Sequence, residues 1–266
     1  MAGGVLSRLP RKNMGNIIAV GSGKGGVGKS TVTALVASEL VREGKVVGIL
    51  DADITGPSIP KLFGVSGQLV DGGQGIEPML VGPDIRMVSS QLLIEDESRP
   101  IIWRGPLVTR LITQFFGEVN WGSLDYLLID MPPGTSDVPL TVFQTIPIDG
   151  MVFVSTPQDL SSLIVQKAVN MAKELHMNLI GVVENMAVAK CPSCGHTFEL
   201  YGKSHTMTMV EKHDIPFLGQ LPVDVKLSEL GDEGNIDQYS SPLVHSIVEK
   251  LNESLKESKS RELRVV

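Results

Sequence analysis

The sequence predicts an α/β fold in a single domain, with a mostly parallel sheet and helices on both of its faces. Two observations support this prediction. Short apolar runs alternate with longer segments of helical periodicity, which is typical of parallel strands joined by crossover helices. The first apolar run, residues 16–22, leads directly into a glycine-rich loop at residues 21–31. The chain has 266 residues, a length that suits one domain of this class.

The first half of the chain alternates strand and helix around the glycine-rich loop. Residues 16–22 and 46–50 are apolar, as expected of buried parallel strands. Between them, apolar side chains recur at helical spacing over residues 30–43, and a glycine ends the segment. Residues 54–84 are rich in glycine and proline, which favours loops with a short helix near 58–63. The elements predicted next are a strand at 85–90, a helix at 104–119 and a strand at 125–130.

The second half repeats the alternation with one interruption, residues 186–203, which contain two cysteines. The predicted strands are residues 151–155, 178–185 and 215–220, and the predicted helices are residues 159–176, 204–213 and 242–260. We expect a flexible N-terminal arm at 1–14, one domain at 15–260 with the cysteine-containing insertion 186–203, and a tail at 261–266. Because the carboxyl ends of parallel strands meet at one edge of a sheet, polar residues that follow the strands should converge there.

Composition and charge exclude several classes of partner. The net charge is −7, so no basic surplus is available to neutralise nucleic-acid phosphates. No apolar run is long enough to cross a bilayer, and no signal-peptide core stands at the N-terminus. We therefore expect a soluble cytoplasmic protein that binds neither nucleic acid nor membrane.

The glycine-rich loop has the sequence GSGKGGVGKST, which contains the phosphate-binding skeleton G-x-x-x-x-G-K-[ST]. In such a loop the backbone N–H groups and the positive end of the following helix face the phosphates. We expect Lys29 to reach the β- and γ-phosphates and the Ser30 hydroxyl to hold Mg²⁺. The predicted ATP contacts of the loop are Gly23, Lys24, Gly25, Gly26, Val27, Gly28, Lys29, Ser30 and Thr31.

Acidic and amide side chains follow three of the predicted strands. Asp130 ends one strand and precedes Met-Pro-Pro-Gly, and a carboxylate there can orient Mg²⁺ through its water ligands. A helix cap is the alternative role for this residue. Asp51 and Asp53 flank the end of the second strand and are candidate site residues. The alternative is that one of them caps the following turn. Asn185 follows a later strand, and its amide can pair with adenine or, alternatively, form a turn.

The two cysteines, Cys191 and Cys194, are too few for a disulfide framework. They lie in the segment KCPSCGH, where thiolates spaced C-x-x-C can face one metal. Two thiolates do not complete a tetrahedral site or a cluster. A two-fold dimer would supply four, the usual ligands of a [4Fe–4S] cluster, and this interpretation is favoured. A zinc site completed by His196 and His205, or a redox or structural pair, are the alternatives.

With these residues identified, the chain resembles the Mrp/ApbC family of iron–sulfur cluster carrier ATPases, which are relatives of MinD and the nitrogenase iron protein. The likeness extends from about residue 13 to 250. It lies in GKGGVGKST (23–31), DADITGPSIP (51–60), IDMPPGTSD (129–137), C-P-x-C (191–194) and LYGKS (200–204). The segment DADITGPSIP is the most discriminating, because cell-division and plasmid-partition relatives do not usually carry G-P-S-x-P there.

The resemblance implies roles for individual residues. Lys24 makes the loop similar to that of the deviant Walker class of dimeric ATPases, in which this lysine reaches across the dimer interface to the partner's nucleotide. In that class the acids that match Asp51 and Asp53 serve Mg²⁺ and position the attacking water, respectively. Pro222 and Asp224 match positions that line the base pocket, although Asp224 could instead cap a helix. The implied catalytic residues are Lys24, Lys29 and Asp53.

The resemblance also implies a function. It indicates an ATP-dependent homodimer that holds a labile [4Fe–4S] cluster between its two C-P-x-C motifs and transfers it to apo-proteins. One alternative is a MinD/ParA-like positioning ATPase with a structural zinc site at Cys191 and Cys194, which the cysteine segment and the acidic charge disfavour. Another is an electron-transfer ATPase like the nitrogenase iron protein, which would use single cysteines from two loops.

Overall fold

The computed structural model describes residues 8–54, 56–73, 75–93, 105–134, 137–160, 172, 177–191, 193–204 and 206–265. An eight-stranded sheet runs through these residues in the order β12-β9-β8-β1-β7-β2-β6-β5. Its strands are β1 (Met14–Ser22), β2 (Val47–Asp51), β5 (Met79–Val81), β6 (Ile85–Ser89), β7 (Leu124–Asp130), β8 (Gly150–Ser155), β9 (Leu179–Glu184) and β12 (Phe217–Gln220). All neighbouring strands are parallel except β5 and β6, which are antiparallel.

Two small hairpins accompany the main sheet. One pairs β3 (Val70–Asp71) with β4 (Ile76–Glu77), and the other pairs β10 (Ala189–Lys190) with β11 (Thr197–Phe198). The helices of the described residues are α1 (Lys29–Arg42), α2 (Ile59–Leu62), α3 (Gly105–Glu118), α4 (Asp137–Thr145), α5 (Thr206–His213), α6 (Val225–Glu233) and α7 (Pro242–Val265). None of these helices is both long and apolar enough to cross a membrane.

The strands are apolar throughout because the sheet is buried on both faces. Ile17 of β1 packs into a core with the aromatic residues that end α3 and follow it, Phe115, Phe116 and Trp121. Ile18, the next residue, packs into a second core on the opposite face, against α1 and α7. Successive side chains of a strand point to opposite faces, so a strand with helices on both sides needs apolar residues at nearly every position. The predicted α/β fold is confirmed.

The register of the strands places the carboxyl-end residues side by side. Asp51 at the end of β2 pairs with Asp130 at the end of β7 and with Ser89 at the end of β6. On the other side of β1, Ser155 of β8 pairs with Glu184 of β9. The polar residues that follow the strands therefore lie along one edge of the sheet, around the loop that leaves β1.

Several elements differ from the sequence-based expectation. The helices α4 and α6 were not predicted, because nine residues are too few to show a repeating apolar stripe. The predicted helix at 159–176 lies mostly outside the described residues, and Pro157–Leu160 forms a 3-10 turn. The last helix, α7, continues to Val265, so the predicted tail at 261–266 is helical as far as that residue.

The described part of the predicted N-terminal arm, residues 8–13, contacts the domain. The Leu9 amide donates to the Thr145 carbonyl oxygen at 2.8 Å, and Arg11 forms an ion pair with Asp149 at 2.5 Å. The Lys12 ammonium donates to the Gly117 carbonyl at 2.5 Å. These residues therefore attach the start of β1 to the ends of α3 and α4.

Candidate functional site

The glycine-rich loop joins β1 to α1 and depends on glycines with a left-handed backbone. Gly26 and Gly28 have φ angles of 81° and 79°. A Cβ atom at Gly28 would lie 2.2 Å from Asn185 Nδ2, so a larger residue there would displace the Asn185 side chain, whereas at Gly25 or Gly26 it would meet nothing within 4 Å. The loop borders a cavity of about 220 Å³, and α1 begins at Lys29 with its positive end at this cavity. A triphosphate fits this open, amide-lined space.

Lys29 lies between two of the predicted acids. Its side chain is 6% exposed, and its ammonium nitrogen is 2.7 Å from Asp130 Oδ2 and 3.7 Å from Asp53 Oδ2. Asp130 also accepts hydrogen bonds from the hydroxyls of Ser30 at 2.6 Å and Thr33 at 2.8 Å. The acid at the end of β7 is thus connected to the first turn of α1 rather than capping a helix. Thr33 was not predicted, although it lies one turn after Ser30 on the same helix.

Asp51 is fully buried beside Asp130. Its Oδ2 accepts from the Ser89 hydroxyl at 3.0 Å, and its Oδ1 accepts from the Asp53 amide at 3.1 Å. Burial raises the pKa of Asp51 to about 8, and the negative charge of Asp130 adds to this effect while Lys29 opposes it. Ser89 was not predicted as a site residue, although it ends a strand as Asp130 does.

The oxygen atoms of Ser30, Asp51 and Asp130 form the donor set that Mg²⁺ prefers, hard oxygens with room for water ligands. Ser30 and Asp130 are already in hydrogen-bond contact, and Asp51 and Asp130 are register partners on adjacent strands. A divalent cation would also offset the mutual repulsion of the two carboxylates. The residues present therefore fit Mg²⁺.

The two other predicted catalytic residues line the same cavity. Lys24 is exposed, and it and Asp53 both border the cavity. Gly56 and Ser58, from the discriminating segment DADITGPSIP, also border the cavity. The sequence-predicted catalytic residues are thus brought together around one space.

A second cleft, of about 450 Å³, begins beside the loop at Thr31, which lines both spaces. Asn185, Pro222 and Asp224, the predicted base-pocket residues, line it. The Asn185 amide donates to the Val27 carbonyl at 2.9 Å, so this side chain is bonded to the glycine-rich loop. The structure therefore brings the three residues together around one cleft beside the loop.

Asp224 caps a helix, which was the alternative interpretation of this residue. It is the N-cap of α6, and its Oδ1 accepts from the Lys226 amide at 2.9 Å. Its Oδ2 accepts from the Tyr239 hydroxyl at 2.8 Å. Burial and the Asp224 carboxylate raise the pKa of Tyr239 to about 12, so this hydroxyl stays a donor at neutral pH.

The cysteines lie in the turn of the β10–β11 hairpin. The Cys191 amide donates to the His196 carbonyl at 2.8 Å, and the Gly195 amide donates to the Cys191 carbonyl at 2.9 Å. Both thiols are free, with Cys194 exposed and Cys191 partly exposed. The backbone N–H groups of Cys194 and Ser193, together with the Cys194 thiol, lower the pKa of Cys191 by hydrogen bonding. This environment favours the thiolate, the form that binds metals.

Within the described part of the chain, no group of three or more histidine, cysteine or acidic side chains is placed to hold a metal ion. Cys191 and Cys194 therefore gain no third ligand there. His196 is exposed and contributes only its backbone carbonyl to the hairpin. His205, the other ligand of the zinc alternative, lies outside the described residues.

Comparison with known proteins decides the family. A sequence profile of ParA-type proteins, described as NUBPL iron-transfer P-loop NTPase, matches residues 13–256. The chain belongs to this family. An iron–sulfur cluster carrier protein from Clostridium perfringens is 44% identical over 265 residues, covering 94% of this chain and 93% of the relative. One of the same name from Methanocaldococcus jannaschii is 46% identical over 229 residues, covering 84% and 79%.

Solved structures in and around the family agree with the fold. A nucleotide-binding protein from Archaeoglobus fulgidus, solved in complex with ADP, is 45% identical with a TM-score of 0.78, covering 87% of this chain and 91% of that one. MinD from Pyrococcus horikoshii, complexed with Mg-ADP, is 20% identical with a TM-score of 0.63 and covers 90% and 96%. The second likeness shows the fold alone. The predicted resemblance to iron–sulfur cluster carrier ATPases is confirmed at the level of the family.

Proposed function

We propose that the protein binds and hydrolyses ATP, and that a homodimer carries a [4Fe–4S] cluster between its two cysteine pairs and delivers it to apo iron–sulfur proteins in the cytoplasm. The cysteine hairpin carries this proposal. It presents two thiols, one with a lowered pKa, at an exposed turn where the described residues supply no third ligand. The cluster is cargo, so exposure of the ligands suits its release.

The nucleotide occupies the two connected spaces beside β1. Its phosphates lie against the loop residues 23–31, with Lys29 leaving its present ion pairs for the β- and γ-phosphates. Ser30, Asp51 and Asp130 would hold Mg²⁺, which would supply positive charge at the phosphate oxygens. The base lies in the cleft beside Asn185, Pro222 and Asp224. The ADP bound to the Archaeoglobus relative supports this assignment.

Hydrolysis needs a positioned water and positive charge at the γ-phosphate. Asp53, whose carboxylate is 13% exposed and faces the Lys29 ammonium, is placed to orient the water. Lys29 supplies charge from the same subunit, and Lys24 of a second subunit supplies more. Both lysines border the phosphate cavity in this chain.

The cluster requires two chains. Each hairpin contributes two thiolates, and a two-fold axis beside the hairpins brings four together. The names of the Clostridium and Methanocaldococcus relatives support iron–sulfur cargo rather than zinc. A MinD/ParA-like positioning function has support only from likeness in fold, at 20% identity.

Anaerobic reconstitution with iron and sulfide tests the proposal. We expect about four irons per dimer, and no cluster in Cys191→Ala or Cys194→Ala, each with unchanged ATP affinity. Ser193→Ala, at the exposed position between the cysteines, is the matched control and should bind iron as the wild type does. Stoichiometric zinc that iron does not replace, or a cluster held by the monomer, would contradict the shared site.

A further inference from the structure

The cleft beside the glycine-rich loop is lined by two groups of residues with different positions in the chain. Asn185, Pro222 and Asp224 follow the strands β9 and β12. Leu200 and Tyr201 also line it, and they belong to the cysteine-containing insertion at 186–203. The sequence did not assign either residue a role in nucleotide binding.

Leu200 and Tyr201 are large apolar side chains that remain open to solvent. Leu200 is 45% exposed and Tyr201 is 37% exposed, although both border a cleft of about 450 Å³. A planar nucleobase would cover this apolar surface, and an aromatic ring offers it a face for stacking. The phosphate cavity is next to the cleft, and Thr31 lines both. A base in the cleft can therefore belong to a nucleotide whose phosphates lie in that cavity.

The insertion is fastened at both ends next to the nucleotide site. At its start, the Asn185 amide donates to the Val27 carbonyl of the loop at 2.9 Å. At its end, the Ser204 hydroxyl donates to Glu184 Oε1 at 2.6 Å, and Glu184 is fully buried. The Thr206 hydroxyl also donates to Glu184 Oε1, and the Gln220 amide donates to Glu184 Oε2 at 2.6 Å. These hydrogen bonds attach both ends of the insertion beside the nucleotide site.

The cysteine hairpin is attached to the cleft as well. The Val223 amide donates to the Val188 carbonyl at 2.8 Å, and Val223 forms a bridge with Ala189 of β10. Val223 also lines the cleft. The segment that borders the cleft on one side and the strand that leads to Cys191 are therefore in direct contact.

We propose that the base of bound ATP packs against Leu200 and Tyr201, so that the nucleotide holds the cysteine-containing insertion in one position. The inference rests on the proposed ATP-binding function and adds to it a direct contact between the nucleotide and the segment that carries the metal ligands. ATP binding then orders the hairpin through the base, whereas the phosphates alone do not.

Affinities for ATP and for inorganic tripolyphosphate separate the base contact from the phosphate contacts. In the full-length protein with Mg²⁺, Tyr201→Ala should bind ATP about tenfold more weakly, because stacking of a base on an aromatic ring contributes roughly that factor. Its affinity for tripolyphosphate should not change. Tyr201→Phe should bind ATP within about twofold of the wild type, because the ring is kept.

Phe198→Ala is the matched control, because Phe198 is an aromatic residue of the same insertion, 43% exposed, that does not line the cleft. It should bind ATP as the wild type does. Equal losses for ATP and tripolyphosphate in Tyr201→Ala, or no loss for ATP, overturn the inference and leave the proposed function standing. A wild type that binds neither ligand overturns both.

Hydrogen exchange of the hairpin amides, residues 189–198, measures the effect on the insertion. We expect ATP to slow exchange there and tripolyphosphate to have little effect, with the difference lost in Tyr201→Ala. Equal protection by both ligands, or protection by ATP that persists in Tyr201→Ala, would show that the base does not hold the insertion.

Discussion

Replacing Asp51 with asparagine tests whether this buried carboxyl holds a proton at neutral pH. Burial, with the charge of Asp130 adding to it, raises the pKa of Asp51 from 3.8 to about 8. Between about pH 4 and pH 8 the folded protein then binds one proton more than the unfolded chain. The free energy of unfolding of the wild type therefore falls as pH rises through this window, by at most about 1.4 kcal/mol per pH unit from this group.

The amide in Asp51→Asn cannot ionise, so the variant lacks this contribution. Measured by urea unfolding without nucleotide or Mg²⁺, its stability relative to the wild type should rise by roughly 3 kcal/mol between pH 5 and pH 7. Asp125→Asn removes the same charge at an exposed position of β7 and should not reproduce this pH-dependent gain. A stability difference that stays constant from pH 5 to pH 7 would refute the reasoning.

The same substitution removes a proposed Mg²⁺ ligand. We therefore expect Asp51→Asn to be more stable at pH 7 and yet to bind Mg-ATP more weakly. A buried carboxylate that is needed to bind a metal lowers the stability of the protein when the metal is absent. Such a loss of stability for the sake of activity is common in functional sites.

Two further substitutions test the loop and the first turn of α1. Thr33→Val should lower the free energy of unfolding, measured with urea, by about 2 kcal/mol, because it removes a hydrogen bond to the buried Asp130 carboxylate. Ser38→Ala removes a hydroxyl that donates to the Ala34 carbonyl of the same helix, and it should lower the free energy of unfolding by less. Gly28→Ala should abolish ATP binding in titration calorimetry, because Gly28 has a φ angle of 79° and its Cβ would meet Asn185 Nδ2 at 2.2 Å, whereas Gly117→Ala, in α3 and with open space, should retain it. Loss of binding in both glycine variants would contradict this reasoning, because Gly117 lies outside the glycine-rich loop.

The sequence predicted the fold, and it singled out most of the residues that the structure brings together around the glycine-rich loop, because both depend on local or periodic signals. Strands buried on two faces are continuously apolar, and Asp51, Asp130 and Asn185 were found because each stands at the end of such a run. Because the carboxyl ends of parallel strands meet at one edge of a sheet, these residues could be predicted to lie close together even though the strand order was not known. The observed register pairs Asp51 with Asp130 directly.

The cleft that begins beside the loop at Thr31 was less predictable because its contacts join distant parts of the chain. The Tyr239 hydroxyl reaches Asp224 across fifteen positions, and α6 lies between them without a distinctive apolar stripe. Leu200 and Tyr201 belong to the insertion, yet they line the same cleft as Asn185, Pro222 and Asp224. No residue spacing in the sequence indicates which part of the domain the insertion at 186–203 will pack against.

The buried Glu184 has a consequence for how such a chain can diverge. Because Asn185 follows it directly and Ser204 bonds to its carboxylate, the insertion begins and ends next to Glu184. A loop whose ends already meet can change in length or ligand set at small cost in closure entropy. Exchange of residues 186–203 between relatives should therefore transfer the cysteine hairpin of one protein onto the sheet and glycine-rich loop of another.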